Sequence, residues 1–263
     1  MPFIEAGGLV VHYELSGPAG AECILLANSL GTDLRIWDSV VAELGKRYRI
    51  LRYDMRGHGL TDCPAVSDDA AGYRMGDLAG DALALLDELG VERASWIGLS
   101  LGGMVAMWIA ACAPERLERL VLACTSARVP SPQAYAERAG IVREKGLEPV
   151  ADAVVSRWFT SAAPDALRAH FRAILVATPA EGYAACCDAL ADWDFRERLD
   201  DVAAPTLVLA GAEDGSTPAS DTALLVRRIR GARSTVLDGA AHLANVEQPA
   251  AFAEAALAHL KAA

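Results

Sequence analysis

Apolar residues keep two rhythms along this chain. Two short extended runs, Phe3–Ala6 and 9–15, flank the pair Gly7-Gly8 and predict an opening hairpin. Apolar-rich runs of strand length then come at Cys23–Ala27, 48–53, 94–98, Leu117–Ala123, 206–210 and 234–237. Between several of them, at 34–44, 78–89, 104–111 and 223–229, apolar residues recur at helical spacing. Strand alternating with helix predicts an α/β fold, a mainly parallel sheet with helices on both faces. Residues 130–199 break the alternation. They hold no strand-like run, only helical patterns interrupted by Gly140, Gly146, Pro149, Pro164, Pro179 and Gly182. Because the strand pattern resumes at 204–211, this stretch is read as an all-helical insertion, 130–199, in a core formed by residues 1–129 and 200–263.

Composition narrows the function. With 53% hydrophobic and 22% charged residues in 263, the chain has the make-up of a folded globular protein. A net charge of -11 without any Lys/Arg run argues against nucleic-acid binding, which needs clustered cations, and makes any anionic ligand dependent on local positive charge. No apolar stretch has membrane-spanning length and the amino terminus, MPFIEAGG, has no signal character, so a cytoplasmic protein is expected. The six cysteines lack a CxxC spacing, and adjacent Cys186-Cys187 suits neither a metal nor a bridge; reduced, mostly buried thiols are expected.

The chemistry gathers just after predicted strands. Gly98-Leu99-Ser100-Leu101-Gly102 lies between the strand ASWI and the helix MVAMWIAA. A serine at such a sharp turn needs nearly side-chain-free residues two before and two after it, and its hydroxyl then stands above the sheet beside a helix amino end. A hydroxyl needs a base, so a histidine and an acid are expected further on. Of five histidines, His12 falls in the hairpin, His58 in a tight turn, His170 in the helical insertion and His259 on the last helix. His242 alone follows a strand, STVLDGA, in a loop of small residues. Two carboxylates, Glu213 and Asp214, follow the strand TLVLAG. Asn28-Ser29-Leu30-Gly31 follows CILLA, at a strand's carboxyl end, where open α/β sheets bind ligands.

Serine, acid and histidine in that order, each after a strand, make the sequence resemble an α/β-hydrolase over its whole length, with the insertion as its helical cap. The family's spacing favours Asp214 over Glu213. Where the family usually carries His-Gly, this chain has Asn28-Ser29, nine residues before Trp37. The resemblance therefore implies that the backbone N–H groups of Leu30 and Leu101 form the oxyanion hole. It also implies that Asp54 and Arg56 in RYDMRGHG brace a loop, with His58 a turn residue.

NSLGTDL, RYDMRGHG, GLSLGG, CTSAR, SRWFT and EGYAACCDAL further resemble the 3-oxoadipate enol-lactonases of aromatic catabolism. That resemblance implies opening of a small anionic lactone through a Ser100 acyl-enzyme, with His242 as base and Asp214 orienting it, and no metal or other cofactor. Ser29 is expected to fit the loop to a compact ring. For the substrate carboxylate the expected anchors are Arg128 and Arg157, with Trp158 covering the ring, while Arg138, Arg143 and Arg168 are expected on solvated helix surfaces. Relatives fused to a carboxymuconolactone decarboxylase exist; with only AAFAEAALAHL following the His242 loop, a lactonase alone is expected. An esterase, carbon-carbon bond hydrolase or cofactor-free perhydrolase shares the triad, and a ligand receptor on the same fold is the reading from a different class.

Overall fold

In the computed structural model, which describes residues 2–66 and 72–261, the hairpin pairs β1 (Phe3–Ala6) with β2 (Leu9–Ser16), Phe3 opposite His12. Then come β3 (Cys23–Ala27), α1 (Asp38–Leu44), β4 (Arg49–Tyr53), α2 (Met75–Glu88), β5 (Ala94–Leu99), α3 (Leu101–Cys112) and β6 (Leu117–Ala123). Four helices follow, α4 (Pro132–Lys145), α5 (Glu148–Trp158), α6 (Asp165–Ala177) and α7 (Ala180–Ala191). The chain closes with β7 (Thr206–Gly211), α8 (Ala219–Arg228), β8 (Arg233–Leu237), α9 (Ala244–Glu247) and α10 (Pro249–Leu260).

The strands form one eight-stranded sheet in the order β1-β2-β4-β3-β5-β6-β7-β8. β2 is antiparallel to β1 and to β4, and every later pairing is parallel. Strands covered on both faces have no polar side to show, which is why β3, β5 and β7 are buried along their whole length. β8, at the edge, buries only Leu237. The helical pattern at 34–44 divides: Leu34–Trp37 is a 3-10 turn, opened by Asp33, whose carboxylate accepts the Arg35 N–H at 3.0 Å, and α1 begins after it. Similarly α2 starts three residues before the apolar pattern, where the Asp77 carboxylate accepts the Arg74 N–H at 2.8 Å. Among the described residues, no helix is long and apolar enough to cross a membrane.

The α4–α7 block rests over the carboxyl ends of the central strands, and at one close approach to the sheet domain it meets it glycine on glycine. A Cβ on Gly182 of α7 would lie 2.4 Å from the Cα of Gly57, and one on Gly57 would lie 2.5 Å from the Cα of Gly182. Close by, Tyr73 N–H donates to Ala185 O at 3.1 Å. Two opposed effects compete in Gly182→Ala. Helix propensity favours alanine by about 1 kcal/mol, whereas a methyl group forced into backbone costs about 1–3 kcal/mol. The clash wins, so this variant should melt several degrees lower in a thermal scan. Gly140→Ala, in α4 with open space around it, should melt slightly higher.

Candidate active site

A single residue carries the chain from β5 into α3. Ser100 sits at φ 55°, ψ −114°, a conformation costing about 1–3 kcal/mol for a residue with a side chain. Its neighbours hold it there. Ser100 N–H donates to Ala123 O at 2.9 Å, and its carbonyl accepts the Thr125 hydroxyl at 2.7 Å and the Gly103 N–H at 2.9 Å. A Cβ on Gly98 would meet Gly102 O at 2.3 Å, and one on Gly102 would meet Ala27 O at 2.2 Å. Gly103 is confined too: a Cβ there would lie 2.7 Å from the Thr125 side chain, a constraint that sequence reasoning misses because it comes from a neighbouring strand's loop.

The loop after β3 is fastened next to this turn. Asn28 is fully buried: its Nδ2 donates to Tyr53 O at 2.8 Å, its Oδ1 accepts the Trp37 indole N–H at 2.8 Å, and its carbonyl accepts the Gly102 N–H at 2.9 Å. Gly31 N–H is taken by His58 Nε2 at 3.0 Å, and Ser29 O accepts both the N–H and the hydroxyl of Thr32. Among the described residues, the N–H groups of Leu30 and Leu101, by contrast, donate to no backbone carbonyl in these turns. They are the donors left available beside Ser100.

His58 therefore does more than turn the chain. Its Nδ1 faces Arg56 O at 3.2 Å and its Nε2 receives the Gly31 N–H, so these partners assign the neutral ring with its proton on Nδ1. Burial pushes its pKa down to about 4 against the pull of the Arg56 carbonyl and Asp33. Asp54 accepts N–H groups from Leu34 at 2.7 Å and Leu60 at 2.9 Å and faces His12 Nδ1 at 2.7 Å, while Arg56 pairs with Asp81 at 2.5 Å. Both brace the loop.

Across the sheet edge, His242 Nδ1 faces Asp214 Oδ2 at 2.9 Å, with both side chains buried. Asp214 also accepts the Ser216 N–H at 2.7 Å, the Thr217 N–H at 3.1 Å and the Thr217 hydroxyl. Burial alone works to raise the Asp214 pKa, but attraction to His242 and these hydrogen bonds outweigh it and hold the carboxyl below its ordinary range. Glu213 is exposed. With Nδ1 engaged, Nε2 is the ring nitrogen left for the cavity that His242 lines together with Ser100.

That cavity, of about 190 Å³, lies between the sheet and the α4–α7 block. Ser29, Leu30, Arg157 and Trp158 line it, together with Tyr135 and Arg138. Two expectations need correction. Arg128 does not line the cavity; its side chain faces Asp194 at 3.7 Å, fastening the start of the insertion to its end. Arg138, expected on a solvated surface, turns inward from α4, its guanidinium carbon 4.8 Å from the Tyr135 ring centroid. Among the described residues no carboxylate pairs with Arg138 or Arg157, whereas Arg143 pairs with Glu181 and Asp188, and Arg168 donates to Thr160 O. Ser100, His242 with its Asp214 partner, Leu30 and two arginines without a carboxylate partner thus meet at one cavity, a set of groups suited to serine acyl transfer on an anionic ester.

The profile of the alpha/beta hydrolase family matches residues 24–255. The chain belongs to that family. Among its relatives, 3-oxoadipate enol-lactonase 2 of Acinetobacter baylyi is 37% identical, the match covering 98% of this chain and 96% of that one. 3-oxoadipate enol-lactonase 1 of the same organism is 35% identical over 93% of this chain and 91% of its own. The crystal structure of the enol-lactonase from Burkholderia xenovorans LB400 superposes with a TM-score of 0.94 at 37% identity, covering 99% of this chain and all, 100%, of the other.

Because folding favours neutral His58, the unfolded chain binds more protons between pH 6.5 and about 4. This contribution to stability is complete above pH 6.5 and lost as the pH falls toward 4; the full shift is worth about 3 kcal/mol. Urea unfolding of wild type and His58→Gln at pH 7, 6 and 5 should show the wild type losing stability faster; equal slopes would remove His58 as the cause.

Proposed function

We propose that this chain is a serine hydrolase that opens 3-oxoadipate enol-lactone to 3-oxoadipate, with the α4–α7 block as its cap. The observation that carries the reading is the cavity lined by Ser100, His242, Arg138 and Arg157, with neither arginine paired to a carboxylate among the described residues. The full-length similarity to two enol-lactonases supports the same substrate. The six cysteines, all free, suit a reducing cytoplasm.

In the proposed reaction His242 Nε2 takes the Ser100 proton as the hydroxyl oxygen attacks the lactone carbonyl, and Asp214 stabilises the resulting imidazolium. Leu30 and Leu101 N–H groups meet the oxyanion, where losing one such donor costs about 3–4 kcal/mol. Collapse breaks the ring C–O bond as His242 gives its proton to the departing enol oxygen, which stays tethered to the acyl chain; the enol then tautomerises to the ketone, and His242 is again neutral. Water, giving its proton to His242, then attacks the acyl-serine, and the proton returns to Ser100 as the second carboxylate forms. Arg138, with Arg157, binds the substrate's own carboxylate in place of the expected Arg128, and Trp158 and Tyr135 flank the ring.

An ultraviolet assay following loss of the enol-lactone tests the whole reading: multiple turnovers by the isolated chain are expected, and turnover of phenyl acetate with the lactone untouched would make it a plain esterase. Ser100→Ala should lower kcat by about 10⁶ and Asp214→Asn by about 10⁴. Glu213→Gln should be nearly silent; the opposite ranking of the two acids would reassign the triad.

The carboxylate anchor has its own test. Arg138→Met should lose about 10- to 100-fold in kcat/KM on the anionic lactone, the worth of a charged hydrogen bond, and little on a neutral lactone without the acetate arm. Equal losses on both would make Arg138 a wall of the cavity instead of an anchor.

A further inference from the structure

Glu247, at the end of α9 and five residues beyond His242, is absent from the cavity lining, yet it joins the base to the cap. Its Oε2 accepts the Ala241 N–H at 2.7 Å, while Oε1 accepts the Thr160 N–H at 2.8 Å and the Thr160 hydroxyl at 2.9 Å. On the other side of His242, Leu243 N–H donates to Trp158 O at 2.9 Å. Both residues flanking the imidazole are thus tied to the segment that ends α5, whose Trp158 side chain lines the cavity. Thr160 and Ala241 are buried, so these hydrogen bonds have little competition from water. The sheet domain holds the same loop as well. It donates the Glu213 N–H to Ala240 O at 2.9 Å, reaches Ala241 O through a long thiol contact of 3.8 Å from Cys124, and holds the imidazole through Asp214.

We infer that Glu247 is a positioning residue coupling the seating of the cap on bound ligand to the placement of His242 against Ser100. A ligand pressed against Trp158 holds the 158–160 segment, and Glu247 passes that restraint to the backbone immediately before the base. The coupling is reciprocal: whatever displaces the His242 loop loosens the cap's hold on the ligand. The inference rests on the reading of His242 as the base.

The experiment compares wild type with Glu247→Gln and Thr160→Val on both the enol-lactone and phenyl acetate. Glutamine puts an N–H group where a carboxylate oxygen received one, so one of the two tethered segments faces a donor with a donor. Glu247→Gln is expected to lose about tenfold or more in kcat on each substrate that wild type turns over, with KM moving by less than about twofold, since the carboxylate touches no substrate. Thr160→Val, which removes one of two donors and keeps the side chain's size, is expected to lose less. The double variant should be no worse than Glu247→Gln alone, because both changes cut one connection. Amide exchange followed by NMR, with adipate as the cavity probe, supplies a readout that a merely structural role leaves unmoved: adipate should slow exchange at Ala241 in wild type and not in Glu247→Gln. A normal kcat in Glu247→Gln, whatever its melting temperature, overturns the coupling. So does adipate protection of Ala241 that survives the substitution. If Glu247→Gln does not fold, an unchanged kcat in Thr160→Val overturns it equally. Wild type that cleaves phenyl acetate but not the lactone defeats the proposed substrate while leaving the coupling to be read on the ester.

Discussion

A β-strand that becomes an α-helix within one residue leaves no room for side chains around the turn, and the arrangement of this site descends from that crowding. At Ser100 the backbone is strained, and the space it needs is cleared by Gly98, Gly102 and Gly103. The same crowding brings the start of α3 so near to β3 that Gly102 N–H bonds Asn28 O. The turn carrying the hydroxyl and the loop carrying the Leu30 N–H are consequently one hydrogen-bonded unit. Asn28 then extends that unit outward to Tyr53 and Trp37, in the neighbouring strand and the following 3-10 turn. Placement of the proposed oxyanion donors is a property of the core of the sheet, which suits an element that has to be ready before charge develops.

Electrostatics within the site run against the chain's net charge of -11. Several cap arginines are neutralised by neighbours, such as Arg172 by Glu148 and Asp152 at the surface, where such pairs contribute little stability. Arg138 faces a cavity instead, beside an aromatic ring and without a carboxylate. A guanidinium held in that setting interacts with an anion through a lower effective dielectric than one on the surface, so selectivity for an acidic ligand does not need a basic protein.

The hydrophobic pattern places Cys23–Ala27 and Leu117–Ala123 to the residue, because β3 and the Leu120–Ala123 half of β6 are buried in the middle of a parallel sheet and end where the backbone leaves it. Ser100 is legible for a related reason, since it follows β5 at once, while His242 is marked by its loop of small residues, five positions beyond the end of β8. Choosing between Glu213 and Asp214 takes more than adjacency, since burial and the bond to His242 separate them only in three dimensions. Arg138 is illegible locally. α4 buries just Ala139 and Val142 among its fourteen residues, so its sequence has no strong stripe to say which arginine turns inward; packing against α7 decides that. His58 hides its part in the loop after β3 because its acceptor nitrogen serves Gly31, 27 positions away, through a backbone N–H that any residue type would supply.

The contact between Gly57 and Gly182 has an evolutionary consequence. Most tight contacts in a protein interior can drift, since one side chain grows while its partner shrinks and the summed volume is kept. Here neither partner has anything to give up. A lineage that replaces one glycine has no smaller residue with which to answer at the other, so its remaining route is to move α7 bodily. That displacement carries Tyr183, the residue after Gly182 and part of the cavity wall, along with it. Change at this distant-looking joint is therefore change in the shape of the ligand site, and the two are expected to diversify together among descendants of the same ancestor.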